Sequence, residues 1–346
     1  MVRPFDINEI FPDDEAGSVR LPRRRAGGSP QSLAVTLLAD YTLRTRAFVP
    51  SAAIVALLGE FGVTPAAGRT AISRLSRRGV LENSRQGRHS SYRLTDPAAV
   101  NLSISGHSIV AFPEQAEAWD GSWTLIAFSL PEGSGAERRT LRGHLRWLGY
   151  APLYDGLWAS PRQFTSRARE ELAEVGSGSL TVFRAQHVEL DQTVRRDPLE
   201  AWDIDAIAEE YASFIDRWSP LLAGIRAGEV SGAEAVCART EVMDTYRRFR
   251  VLDPLLPMRC MPPGWRRHQV RDIFTAVYDG LAAAAQEHVR TVAAPPSAPH
   301  LGVGAHTTAD LLAGVWHGKA DNAPATGDAR PARRPQPVPG RVRRRT

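Results

Sequence analysis

The stretch GVTPAAGRTAISRLSRRG, residues 62–79, constrains this chain more than any other. Thr64 stands directly before Pro65, the order of a helix start: a hydroxyl accepts a free N–H, and the fixed φ of proline suits the first turn. Gly79 supplies the left-handed stop. Between them Ala67, Ala71, Ile72 and Leu75 fall on one side of a 3.6-residue period, and Arg69, Thr70, Ser73, Arg74 and Arg77 fall on the other. Such a helix buries its small apolar back and turns a polar, arginine-bearing front outward, toward solvent or a polyanion.

The flanking residues favour the polyanion. SLAVTLLADYTLR carries Leu33, Val35, Leu37, Leu38 and Tyr41 as the stripe of one preceding helix. PSAAIVALLGEFG predicts a second, capped by Ser51, buried through Ile54, Leu57, Leu58 and Phe61, and stopped at Gly62. After the arginine helix, VLENS and SYRLT read as two short strands joined by RQGRHS, with Gly87 at the turn between Arg85 and Arg88. Three helices and a hairpin over residues 31–97 predict a winged helix-turn-helix, whose second helix of the pair enters the major groove. There Arg69, Thr70, Ser73, Arg74 and Arg77 would meet base edges and backbone, while Arg85 and Arg88 on the wing would meet phosphates or a narrow minor groove. The competing reading is a plain three-helix subdomain with solvated arginines; agreement of caps, period and hairpin favours DNA.

Charge points the same way, weakly. The net charge is +5 with a pI near 9.6, and Lys319 is the only lysine, so the cationic groups are arginines that suit planar oxyanions. No apolar run reaches membrane-span length, and MVRPFDINEIFPDDE lacks a basic start followed by an apolar core, so a cytoplasmic protein is expected. Cys237 and Cys260 lack metal-ligand or disulfide spacing and are expected as small buried residues.

At this point several stretches carry a family resemblance. SLAVTLLADYTLR, GVTPAAGRTAISRLSRRGVLE and GRHSSYRLT resemble the N-terminal winged helix of the PaaX family of phenylacetate-degradation repressors, and the resemblance runs on through WDGSWTLIAFSLPE, LRGHLRWLGYAPLYDGLWASPR and DPLLPMRCMPPGW. It implies a non-enzymatic, homodimeric repressor that leaves operator DNA when an aryl-acetyl coenzyme A thioester binds. It also implies a middle domain similar to a small ferredoxin-fold CRISPR-associated nuclease. NLSISGHSIVAFPEQAEA departs from the family's basic helix, and Arg266 and Arg267 stand where the family tends to place Pro and Gly.

The whole chain reads as an α+β protein. Residues 1–30 are expected as a disordered arm, 98–118 as a linker, 119–195 as a ferredoxin-like domain of alternating strands and helices, 196–290 as a helical regulatory domain, and 291–346 as a disordered basic tail with at most a short helix near Thr307–Trp316. Asp120, Glu132 and Asp155 at strand ends are the carboxylates a metal-dependent nuclease would need, and scattered turn carboxylates are usually solvated. A nonspecific DNA-associated protein using its arginine tails is the other alternative. In the helical domain Trp202, Tyr211, Phe214, Trp218, Tyr246, Phe249, Trp265, Phe274 and Tyr278 are spaced as core stripes. Arg247 and Arg248 in YRRFR and Arg267 in WRRHQVR are candidates for an acyl coenzyme A effector's phosphates. No cofactor or metal is expected.

Overall fold

A computed structural model describes residues 29–87, 89–173, 179–188, 197–294 and 302–315. The arm before residue 29, Arg88 and the basic sequence after 315 lie outside the described residues. Ser29 caps α1 (Pro30–Thr42) by accepting the Ser32 N–H at 3.2 Å. Leu33, Val35, Leu37, Leu38 and Tyr41 are all buried, and so are Ala34, Thr36 and Asp40, because this helix is covered on more than one side. β1 (Val49–Pro50) leads into α2 (Ser51–Glu60). Ser51 is the first helical residue and not its cap; Pro50 occupies the cap position and offers no side-chain acceptor. Gly62, at φ +76°, ends the turn after α2, as its lack of a Cβ permits.

α3 (Pro65–Arg77) is followed by the antiparallel pair β2 (Leu81–Gln86) and β3 (His89–Leu94), with Gly87 in the turn at φ +59°. β1 joins the far side of β3, Val49 opposite Tyr92, so the small sheet runs β1-β3-β2. The segment expected as a linker is instead α4 (Asp96–Gln115), a twenty-residue helix with Ala98, Ala99, Leu102, Val110 and Phe112 buried. Its small and serine-rich composition hides the helix, because contacts on several sides break the single apolar stripe that periodicity detects.

Next come β4 (Ser122–Ser129), α5 (Gly135–Trp147), β5 (Ala151–Tyr154), β6 (Leu157–Ser160), α6 (Ser166–Ala173) and β7 (Ser179–Gln186). The sheet runs β5-β6-β4-β7, antiparallel throughout. Ile126, Phe128 and Trp158 on one face bury against Leu141, Leu145 and Leu172 of the two helices. The helical part holds α7 (Ile204–Trp218), α8 (Leu221–Ala227), α9 (Gly232–Leu252), α10 (Arg267–Gly280), α11 (Ala282–Ala293) and α12 (Thr308–Ala313). All nine aromatics named above are buried there, with Tyr246 and Phe274 stacked at 3.9 Å between ring centroids. Of the cysteines, Cys237 is half-buried and Cys260 is exposed on the turn after Pro257, contrary to the expectation for both.

Residues 302–315, expected within a disordered tail, form a strap. Val303, His306, Leu311 and Val315 are buried. The strap's Gly304 N–H donates to Tyr41 O at 2.9 Å, Ala305 N–H donates to Gln286 Oε1 at 2.9 Å, and the Thr308 hydroxyl donates to Asp279 Oδ2 at 2.7 Å. It thereby stitches α1 to α10 and α11. Proline, alanine and glycine on both sides conceal it: only Leu311, Leu312 and Val315 mark a face in the sequence, and of these Leu312 is exposed.

Candidate nucleic-acid interface

α3 is built as its sequence dictates. The Ala67 N–H donates to Thr64 Oγ1 at 3.3 Å, Pro65 fills the first position, and Gly79 takes φ +70° just past the end. Ala71, Ile72 and Leu75 are buried against α1 and α2; Ala67 is half-buried, and the adjacent Gly68 lies deeper than it. Arg69, Thr70, Ser73, Arg74 and Arg77 are all exposed. Arg69, Ser73 and Arg77 follow one another at four-residue intervals, so they stack along one face. α3 carries no acidic residue, and among the described residues Arg69, Arg74 and Arg77 enter no ion pair. Thr70 differs, since its hydroxyl donates back to Ala66 O at 2.9 Å.

The hairpin is stiffened where it meets the helices. Glu82 opposes Arg93 across the strands, Arg93 Nε donates to Glu82 Oε1 at 2.6 Å, and the Arg93 guanidinium covers the Phe48 ring at 4.4 Å. Arg85 is exposed near the tip, and Arg88 lies outside the described residues. The unit is docked on the helical body. His288 of α11 contacts Glu60 of α2 at 2.6 Å, and Arg247 of α9 donates to Ser32 Oγ of α1 at 3.0 Å.

The three arginines singled out for an effector do not converge. Arg247 ties α9 to α1 and also pairs with Asp244. Arg248 is half-exposed on α9. Arg267 is fully buried, donating to both oxygens of Asp253 at 2.6 and 3.0 Å and to Leu256 O at 2.9 Å. Tyr211 and Trp265 donate to the same carboxylate at 2.6 and 2.9 Å, so this cluster is a saturated joint in the core. Sequence reading missed Arg162 and Arg250, which meet in a cavity of about 560 Å3 between α4, the four-stranded unit and α9. Their separation in the chain, 162 against 250, leaves no local spacing to detect.

The nuclease carboxylates are also apart. Strand register puts Thr124 opposite Ser160 and Ala127 opposite Leu157, so Asp120 and Asp155 stand at opposite ends of the sheet. Asp120 accepts from Arg184 at 2.5 Å, which lowers its pKa, and Asp155 accepts from Arg142 at 2.9 Å. Glu132 is exposed in the turn after β4. Among the described residues no three His, Cys, Asp or Glu side chains gather as a metal site, and no helix is long and apolar enough to cross a membrane.

An outward arginine helix beside a hairpin, both seated on a larger helical body, fits a DNA-binding transcriptional regulator. Family models match three parts of the chain: PaaX-like protein over residues 29–98, PaaX protein central Cas2-like domain over 116–196, and PaaX-like protein C-terminal domain over 202–291. The chain is 31% identical over 240 residues to the transcriptional repressor PaaX of Escherichia coli (strain K12), covering 67% of this chain and 74% of that protein. This chain belongs to the PaaX family. Among solved structures, the uncharacterized protein Rv0674 from Mycobacterium tuberculosis is similar at 16% identity and a TM-score of 0.43, over 75% of this chain and 98% of that one.

Proposed function

We propose that this chain is a cytoplasmic, homodimeric repressor of phenylacetate catabolism that reads operator DNA with α3 and is released by an acyl coenzyme A effector such as phenylacetyl coenzyme A. In this reading residues 31–97 form a winged helix, with α3 in the major groove and the β2–β3 hairpin as the wing. The order β5-β6-β4-β7 with its two helices supports a ferredoxin-like middle domain, and residues from 196 onward form the regulatory domain. Arg69, Thr70, Ser73, Arg74, Arg77, Arg85 and Arg88 are its DNA contacts. The observation that carries the reading is the face of α3: three exposed arginines with no carboxylate paired to them among the described residues. A protein interior would not leave such a face open, and phosphate or guanine edges satisfy it.

Nuclease footprinting on the DNA upstream of its own gene and of neighbouring phenylacetate genes tests this. A short protected block, about two half-sites one helical turn apart, is expected for a dimer. Protection spread evenly along the duplex would replace it with nonspecific association. Addition of phenylacetyl coenzyme A should erase the protected block.

A further inference from the structure

The strap of residues 302–315 lies between two parts of the chain and bonds to them in turn. The Thr45 hydroxyl, just after α1, donates to Gly302 O, and the Gly304 N–H donates to Tyr41 O at 2.9 Å. On the opposite side, Arg290 Nη2 of α11 donates to Val303 O at 3.0 Å, and the Ala305 N–H donates to Gln286 Oε1 of the same helix at 2.9 Å. Residues 302 and 304 thus meet the α1 side and residues 303 and 305 the α11 side, the period of two that an extended chain imposes. His306 joins both sides by itself: its backbone N–H donates to Asp40 O at 3.3 Å, and its carbonyl accepts from buried Arg239 of α9.

The short helix α12 continues the bridge. Asp310 pairs with Arg44, while the Thr308 N–H and hydroxyl donate to the two oxygens of Asp279 on α10 at 2.8 and 2.7 Å. Leu311 is buried against α4 beside Gly106, where a Cβ would stand 3.0 Å from Leu311 Cδ2, so glycine permits the approach. Neither α1 nor α11 alone seats such a segment, because each supplies only part of its backbone partners and a buried group left unmet is costly. Its apolar hold is small. Val303, Leu311 and Val315 are its buried aliphatic side chains, set against the conformational entropy of fourteen ordered residues. A segment so balanced opens locally before the rest of a fold does.

With the strap seated, Arg69, Arg74 and Arg77 of α3 remain exposed, so it does not mask that face. It acts there only through position. We infer that residues 302–315 are a detachable clamp that fixes α1 and α4, and with them α3, on the helical body, and so holds the two α3 helices of a dimer at the separation that paired half-sites require. The DNA half of this rests on the operator-binding homodimer proposed above; the clamping half does not. A unit held in place has less freedom to lose when a second half-site is engaged.

The test uses the full chain, with its basic tail present in every variant. Leu311→Asp puts a charge into the contact with α4 and should lift the strap. Thr45→Cys with Gly302→Cys, in a Cys260→Ser background, should staple it, since a Cβ on Gly302 stands 3.2 Å from Thr45 Cβ and a small shift reaches disulfide spacing. Circular dichroism reports that each variant is folded, and hydrogen exchange read by mass spectrometry reports the clamp without DNA. In Leu311→Asp, exchange should rise in α1 and α4 as well as in the strap, and in the oxidised cysteine pair it should fall in both helices. Faster exchange confined to the strap would overturn the clamp, whatever happens on DNA. Binding is then measured on the duplex protected in footprinting and on the same duplex with one half-site scrambled. Leu311→Asp should weaken the paired duplex by about tenfold and the single half-site by less than about twofold, and the oxidised pair should bind the paired duplex at least as tightly as its reduced form. Unchanged affinity in Leu311→Asp, equal losses on both duplexes, or a loss on stapling would overturn the positional role. If wild type protects no duplex, the operator reading fails and the DNA half with it, while hydrogen exchange still decides the clamp. Should Leu311→Asp not fold, the oxidised and reduced cysteine pair carries both readouts.

Discussion

The arginines of α3 and those of the helical body are the same residue put to opposite uses. Arg69, Arg74 and Arg77 stand in water on a helix that contains no acid. Arg239 and Arg267 are fully buried. Arg267 is clamped by Asp253, whereas Arg239 lies over the Tyr278 ring at 3.6 Å and donates to the carbonyls of Tyr278 and His306. An interior charge persists only when nearly every donor is met. An exterior set without partners costs little by itself and is open to an external polyanion. The difference separates residues that hold this fold from residues proposed to act on DNA, and local sequence does not reveal it: WRRHQVR reads as a cationic surface as readily as SRLSRR.

The contrast is broken most easily from the inside. Arg267→Ala leaves the Asp253 carboxylate buried with only Tyr211 and Trp265 as its side-chain donors, and a loss of roughly 3–5 kcal/mol in stability is expected from removing one member of a buried pair. Urea unfolding measures it. A loss below about 1 kcal/mol would mean that Arg267 behaves like the surface arginines. On α3 the same substitution should leave the unfolding midpoint alone and act on DNA. Arg69→Ala or Arg74→Ala is expected to weaken operator binding by about 1–3 kcal/mol, the worth of a bidentate base contact. Arg85→Ala should weaken all duplexes alike and reduce the salt slope by about one. Titrations on operator and random duplexes at several salt concentrations tell the two apart; equal losses on both duplexes for Arg69→Ala would move that residue to the backbone.

How far the sequence disclosed this arrangement depends on whether an element advertises itself locally. α3 and its hairpin were legible because Thr64, Pro65, Gly79 and Gly87 mark the ends and a single polar face sets the period. α4 was not, since Ala98, Ala99, Leu102 and Phe112 are spread around a helix packed on several sides. β5 carries little local signal, because it is four residues long, contains Pro152 and shifts register before Tyr154. The site residues divide the same way. The proposed DNA face lies within nine residues of one helix, from Arg69 to Arg77, whereas Arg162 and Arg250 become neighbours only when two parts of the chain pack on each other.

The joint between the N-terminal helices and the body adds a smaller effect that tests the same contrast with protons. Asp40 on α1 and His306 on the strap are both buried, and the backbone N–H of His306 donates to the backbone carbonyl of Asp40 at 3.3 Å. Burial raises the Asp40 pKa to about 6 despite Arg239, Arg247 and the Tyr278 hydroxyl that donates to it at 2.9 Å. The folded state therefore holds a proton that the unfolded chain releases near pH 4, and this contribution to stability is lost as pH rises from about 4 to 6. His306 runs the other way. Burial, with Arg44 and Arg239, lowers its pKa to about 4, so folding excludes a proton that the unfolded chain takes up below about 6.5, and stability is gained over nearly the same range. The two slopes oppose, and their net effect in the wild type should stay under about 1 kcal/mol. Asp40→Asn removes one slope and leaves the other. Urea midpoints at several pH values between 4 and 6.5 should show the stability of the variant relative to wild type climbing with pH, by no more than about 1.4 kcal/mol per unit crossed. A difference that stays constant would mean that Asp40 ionises in the fold as it does in water, and that the joint, like α3, keeps its charges at the surface.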